Sequence, residues 1–299
     1  MIRRKYFTLD VFTDTRFAGN PLAVVQDGQG LDADAMQLIA REFNLSETVF
    51  VLPPADAAHR AQLRIFTPAR ELPFAGHPTV GTAVLLSVLE PHGPADFVLE
   101  EQVGPVRCRV RPAGAGGGFA EFDLPRMPSL EQNEGDREAR ARALGLPASD
   151  LASESAGWPI EVWSAGNPFT FVPIASLDAV RRCRVDLATF DAAFRASNRA
   201  AAFVFSRETA HAGSHFHARM FAPSFGIIED PATGSAVAAF AGYLAAHGGY
   251  PDGEHLVRVE QGVELGRPSF MDLRMTIAQG KLTAAAIGGN AVTVADGTI

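Results

Sequence analysis

The chain states several short phrases twice, in the same order. AGNP (Ala18 to Pro21) recurs as AGNP (Ala165 to Pro168), and LRIFTPA (Leu63 to Ala69) as ARMFAPS (Ala218 to Ser224). HPTVGTAV (His77 to Val84) recurs as DPATGSAV (Asp230 to Val237), and Glu101-Gln102 as Glu260-Gln261. The offsets are 147, 155, 153 and 159 residues, a spread of the size that loop lengths produce. A sequence duplicated in this way is expected to fold as two similar domains related by an approximate two-fold axis. At 299 residues the chain is long enough for each half to bury its own core.

Each half carries one coarse pattern. Val-, Phe- and Ile-rich runs bounded by Gly, Pro and Asp predict strands over Tyr6 to Phe12, Leu22 to Gln26, Thr48 to Leu52 and Ala61 to Phe66. Apolar residues at helical spacing predict helices over Asp34 to Phe43 and Val80 to Leu89. In the second half, Ala236 to Ala246 reads as a helix packed on all sides. Strands wrapped around one apolar helix per half is the expectation, an α+β plan. Poor strand–helix alternation and the lack of GxGxxG after a first strand argue against a dinucleotide-binding sheet. GAGGG (Gly114 to Gly118) reads as a hairpin tip, and the polar stretch Ser129 to Arg142 as the lead into the second half.

The repeated turn sits where a helix begins. A helix start leaves backbone N–H groups unpaired, and its dipole favours negative charge. GHPTVGTA and DPATGSA are therefore two places for a small anion, with Ser235 or Thr82 able to add a hydroxyl. Ordinary capping is the competing account. The halves also differ. Glu47, in NLSETVF, falls opposite Ala202 at an offset of 155, and His77 falls opposite Asp230. A carboxylate partly withdrawn from water at Glu47 would suit proton transfer; a solvated strand-edge glutamate is the plain alternative.

Composition narrows the classes. There are 26 basic and 34 acidic side chains, a net charge of -8, which disfavours nucleic acid as a partner. No apolar run reaches membrane-spanning length. Arg3-Arg4-Lys5 does not open a signal peptide, since Asp10 and Asp14 interrupt the apolar stretch after it. With nothing pointing to secretion, a cytoplasmic setting is expected. Cys108 and Cys183 match no metal spacing and are expected to be free buried thiols. His215 and His217 share a strand face but lack further ligands nearby in sequence, so no metal is expected. Arg16, Arg64, Arg70 and Arg219 are either substrate contacts or surface residues.

Together NLSETVF, RIFTPARELPFAGHPTVGTA and DPATGSAVAAFAGYL, with the opening DVFTDTRFAGNPLAVV and the closing IGGNAVTVADGTI, resemble the phenazine-biosynthesis isomerase-like (PhzF-like) family, which shares the diaminopimelate epimerase fold. The resemblance covers essentially the whole chain. It implies two pseudo-symmetric domains, each a barrel-like sheet around a central helix, over 1–122 plus 283–299 and over 123–282, with the active site between them. It implies a homodimer and a cofactor-independent isomerase that moves a proton on a small cyclic carboxylic acid, trans-2,3-dihydro-3-hydroxyanthranilate or a related compound. The family glutamate falls on Glu47, the proton carrier. Gly76, His77, Asp230 and Ser235 fall on positions that bind substrate or assist. The epimerase branch uses two opposed cysteines, but here those loops carry Gly76 and His77, and Thr233 and Gly234, so a two-thiol mechanism is disfavoured. A non-catalytic binding protein of the same fold and a cofactor-free amino-acid racemase are the other readings.

Overall fold

The structure, a computed structural model, describes residues 3–114, 116–132, 135–152, 157–196 and 199–299. The fold is α+β, with a barrel of strands flanked by further strands and helices. The chain divides into two compact units, Met1–Pro125 with Ile287–Ile299, and Arg126–Ala286.

The first unit contains strands β1 (Lys5–Val11), β2 (Asn20–Val25), β3 (Glu47–Leu52), β4 (Ala61–Phe66), β5 (Asp96–Glu101), β6 (Gly104–Pro112) and β7 (Gly117–Asp123), and helices α1 (Ala33–Phe43) and α2 (Gly76–Leu89). β1 pairs antiparallel with β2, β2 parallel with β3, β3 antiparallel with β4, and β4 parallel with β5. β5, β6 and β7 continue antiparallel. The last strand, Lys281–Thr298, pairs with β7 and returns antiparallel to β1. Eight strands thus close on themselves, which leaves this sheet no open edge. Gly114 and Gly116 lie in the turn between β6 and β7, Gly117 and Gly118 already belong to β7, and Ala115 lies outside the described residues.

Residues 76–87 of α2 are buried all round. A helix of GHPTVGTAVLLSVL has no polar face to offer water, so it is stable only with strands on every side; α2 packs against β1, β2, β3, β6 and β7. α1 is the opposite case. It is amphipathic, buries Met36 and Ala40, and is capped by Asp32, whose carboxylate accepts the Ala35 N–H at 2.8 Å.

The second unit contains strands β8 (Ser129–Gln132), β9 (Glu161–Ser164), β10 (Pro168–Pro173), β11 (Ala202–Ser206), β12 (Phe216–Ala222), β13 (Gly253–Gln261) and β14 (Ser269–Ala278). Its main helices are α3 (Arg137–Ala143), α4 (Leu177–Arg182), α5 (Phe190–Phe194) and α6 (Gly234–His247). β8 to β10 are antiparallel, β10 and β11 parallel, β11 and β12 antiparallel, β12 and β13 parallel, and β13 and β14 antiparallel. Ser129–Gln132 is β8 and Arg137–Ala143 is α3, so these described parts of the polar stretch belong to this unit; residues 133–134 lie outside the described residues. α6 packs against β8, β9, β10 and β14. Gly242 lets α6 approach closely, since a Cβ there would lie 2.6 Å from the Trp163 ring and 2.9 Å from Pro128 Cβ. Trp158 rests edge-on against Phe205 and Phe216 and beside Tyr243, as packing alone requires.

Candidate active site

In the first unit, β3 begins at Glu47 and α2 begins at Gly76-His77. The His77 Nε2 and Glu47 Oε2 atoms are 3.3 Å apart, with side chains only 5% and 13% exposed. The spacing fits an ion pair, but burial drives the His77 pKa down to about 3. The imidazole is neutral at neutral pH, so the contact is not a salt bridge there. His77 Nε2 is buried and has no hydrogen-bond partner among the described residues. A base this weak is a poor resting place for a proton. Thr82 lies further along α2 with no exposed surface, and its hydroxyl also lacks a partner among the described residues.

The backbone at both principal helix starts is bare of side-chain caps. α3 is capped by Asp136 and α4 by Ser176. α2, starting after Ala75, and α6, starting after Thr233, have no side-chain cap bond and no acidic residue in the first turn. Capping, the plain account of Thr and Ser in these turns, is therefore not what these side chains do. The N–H groups remain for another acceptor.

In the second unit, Asp230 is buried and its Oδ2 accepts the Thr233 hydroxyl at 2.5 Å. Gln261 holds the same turn. Its amide nitrogen donates to the Asp230 carbonyl at 2.7 Å and to Thr233 Oγ1 at 3.1 Å, and its oxygen accepts the Thr233 N–H at 3.3 Å. Gly234 is buried at the first helical position and Ser235 is half-buried after it. The sequence marked Gln261 only as part of a repeat; its role as brace depends on β13 ending beside this turn.

Several other residues are committed to structure. Arg64 forms a two-pronged bond to Glu71 at 2.7 Å on each prong. Arg219 does the same with Glu229 at 2.8 Å and also donates to the Val180 and Cys183 carbonyls at 3.0 Å. Arg16 donates to the Thr293 carbonyl at 3.0 Å. Burial pushes Cys183 up to about 12 and Cys108 well above the usual thiol range, so neither supplies a thiolate. Both are free, buried cysteines. His217, fully buried, lies between two carboxylates: Nδ1 is 2.7 Å from Glu260 Oε1 and Nε2 is 3.0 Å from Glu264 Oε1. Sequence proximity could not reveal these partners, 43 and 47 residues away. Among the described residues, no three His, Cys, Asp or Glu side chains are grouped to hold a metal ion. Among them, too, no helix is long and apolar enough to cross a membrane.

Comparison with known proteins places the chain in a family. The profile of the family described as phenazine biosynthesis-like protein matches residues 9–297. A protein of Mesorhizobium japonicum described as an uncharacterized isomerase is 50% identical over 303 residues, covering 100% of this chain and 99% of its own. The trans-2,3-dihydro-3-hydroxyanthranilate isomerase of Pseudomonas chlororaphis is 37% identical over 299 residues, covering 98% of each chain. The crystal structure of a PhzF-family phenazine biosynthesis protein of Bacillus anthracis superposes with a TM-score of 0.89 at 29% identity, covering 100% of this chain and 99% of that one. A hydroxyproline epimerase from Agrobacterium vitis, 11% identical with a TM-score of 0.63, shares the fold alone. The chain belongs to the phenazine biosynthesis-like (PhzF) family. Within that family it is classed as an isomerase.

Proposed function

We propose that the protein is a cofactor-independent isomerase that moves a proton on a small cyclic carboxylic acid, with trans-2,3-dihydro-3-hydroxyanthranilate or a close relative as substrate. The observation that carries this reading is the Glu47–His77 contact at the uncapped start of α2, in a chain 37% identical to an isomerase of that compound. Glu47 takes a proton from a ring carbon as the C–H electrons shift into the ring system, and it returns a proton to another carbon. No net redox change occurs, and no electron sink is needed beyond the substrate's own unsaturation. Gly76 and His77, with Asp230 and Ser235 of the second unit, bind or orient the substrate. Thr82, Thr233 and Gly234 are weaker candidates. The backbone N–H groups of the helix starts suit the substrate carboxylate, so binding energy orients the reacting carbon toward Glu47.

We also read the two units as copies of one plan. The run antiparallel, parallel, antiparallel, parallel, antiparallel from β1 to β6 reappears from β9 to β14. The repeated phrases lie at matching places in it.

Incubation with dihydrohydroxyanthranilate, followed by absorbance and product analysis, tests the activity. Conversion to an isomer of equal mass is the expected result. No turnover of it or of a panel of related cyclic acids would favour a binding protein of the same fold. Loss of optical rotation from amino acids would favour a racemase. By family likeness we further propose a homodimer. Light scattering is expected to give twice the chain mass, and a mass near 31.8 kDa at every concentration would refute it.

A further inference from the structure

Glu101 ends β5 and is only 7% exposed. Its Oε1 lies 2.7 Å from the Thr79 hydroxyl, and its Oε2 is buried with no hydrogen-bond partner among the described residues. The same Thr79 hydroxyl lies 2.8 Å from the Ala75 carbonyl. A hydroxyl has one proton and cannot donate to both. If Thr79 donates to Ala75, Glu101 must donate to Thr79, and only a protonated carboxyl can do so. If Glu101 is ionised, it accepts the Thr79 hydroxyl hydrogen bond, and Ala75 keeps only the Thr79 N–H at 3.3 Å.

The Ala75 carbonyl and the Gly76 N–H belong to one rigid peptide plane and point in opposite directions. Gly76 opens α2, so its N–H has no acceptor within the helix. Whatever fixes the Ala75 carbonyl therefore aims the Gly76 N–H.

We propose that Glu101 is a positioning residue: as a neutral carboxylic acid it donates to Thr79, Thr79 donates to Ala75, and the peptide so held presents the Gly76 N–H to the substrate. The last clause rests on the proposed function; the rest does not. Burial supports the neutral form, pushing the Glu101 pKa up to about 8 against the opposing Thr79 bond. Among the described residues no cation is at hand to reverse it. Arg64 on β4 is bound to Glu71, and Arg109 on β6 to Glu121 and Asp123. Arg107 on β6 is bound to Asp96. Glu100, the next residue along the strand and so on its opposite face, is bound to His59. His77 on α2 is already neutral throughout this range. Cys108 on β6 is a titratable neighbour whose pKa Glu101 itself raises.

The amide signal of Gly76 in protein labelled with 15N-glycine tests the device. Loss of one peak in Gly76→Ala assigns it among the 28 glycines. In the wild type the peak is expected to move between pH 6 and 10 with a midpoint near 8. In Glu101→Gln, whose amide still donates to Thr79, the peak is expected to stay near its wild-type pH 6 position throughout. Thr79→Val is expected to abolish the movement while the 13C-labelled Glu101 carboxyl still titrates. Cys108→Ser is expected to keep it. A flat wild-type peak, or one that titrates unchanged in Glu101→Gln or Thr79→Val, overturns the proposal. Where turnover is found, KM is expected to rise more than kcat falls above about pH 8, and Glu101→Gln to flatten that limb. If no substrate turns over, the proposed function fails while the amide titration still decides the role of Glu101.

Discussion

Glu47→Gln is expected to lower turnover by at least about 10²-fold, the low end for a general acid–base residue, while leaving substrate binding and fold in place. The glutamine keeps the size and most of the packing at the start of β3 but removes the titrating group. Neither His77 nor Asp230 can take over cheaply. His77, neutral and driven to about 3, would need strong protonating conditions to hold the proton. Asp230 accepts the Thr233 hydroxyl in a turn braced by Gln261. His77→Asn and Asp230→Asn are expected to weaken binding or turnover without abolishing proton transfer. Steady-state kinetics of the three variants, with product followed by NMR in heavy water, separates the roles. Deuterium at the reprotonated carbon measures how far Glu47 exchanges with solvent during the reaction, and strong return of the original proton indicates a shielded one-base shuttle. Turnover by Glu47→Gln near the wild-type rate would move the proton to His77 or Asp230.

His217→Leu is expected to destabilise the fold by about 3–5 kcal/mol near pH 5.5, the cost of leaving a buried charge without its partner. Both ring nitrogens face carboxylates, so both must donate, which requires the imidazolium. Burial alone would lower the His217 pKa, but bonds to Glu260 and Glu264 outweigh it and the net shift is upward. Burial likewise opposes ionisation of Glu260, yet bonds from His217 and the Ala210 N–H bring it down to about 2. Each shift has its own sign for stability. The raised histidine contributes fully below its ordinary 6.5, and that contribution is lost as pH climbs through its higher folded value. The lowered glutamate contributes fully above its ordinary 4.5 and loses it as pH falls toward 2. The gap between wild type and His217→Leu should therefore be widest between about 4.5 and 6.5 and narrow on both sides. Urea unfolding at pH 3, 5.5 and 9 checks this. A gap under about 1 kcal/mol at pH 5.5 would mean that the cluster is not charged as described.

Much of the architecture is legible in the sequence. The strand Ala61 to Phe66 is readable to the residue because its alternation and its flanks agree. α2 is readable as a buried helix because no face of it is polar, but it begins at Gly76, not Val80. Pro78 masks that start, yet a first-turn proline gives up only an N–H the helix does not use. α3 is not legible. Its buried residues are Arg140, Ala141 and Ala143, too small an apolar signal to stand out from a polar stretch.

The candidate site divides in the same way. That Glu47 has no acidic counterpart is visible in the sequence, although the position compared needs correcting. β2 pairs Leu22 with Glu47 and β10 pairs Thr170 with Ala202. β3 pairs Phe50 with Arg64 and β11 pairs Val204 with Arg219. Taking the AGNP phrases and the two arginines as fixed points, both ladders set Glu47 against Ala201, one residue from Ala202. The asymmetry stands, because neither alanine can carry a proton.

The sequence by itself determined the repeated phrases, the two apolar helices, the two turns that open those helices, and the pairing of Glu47 with an alanine when the phrases are aligned. These are local: each is written in residues a few positions apart, where period, Gly and Pro suffice to read them. Only the tertiary structure decided which groups are charged and which are aimed. His77 is neutral because strands enclose it, Glu101 favours its acid form because burial withdraws it from water, and His217 is charged because Glu260 and Glu264 arrive from residues 43 and 47 positions away. Burial and partner distance set protonation, and both are created by contacts between segments that the chain keeps far apart.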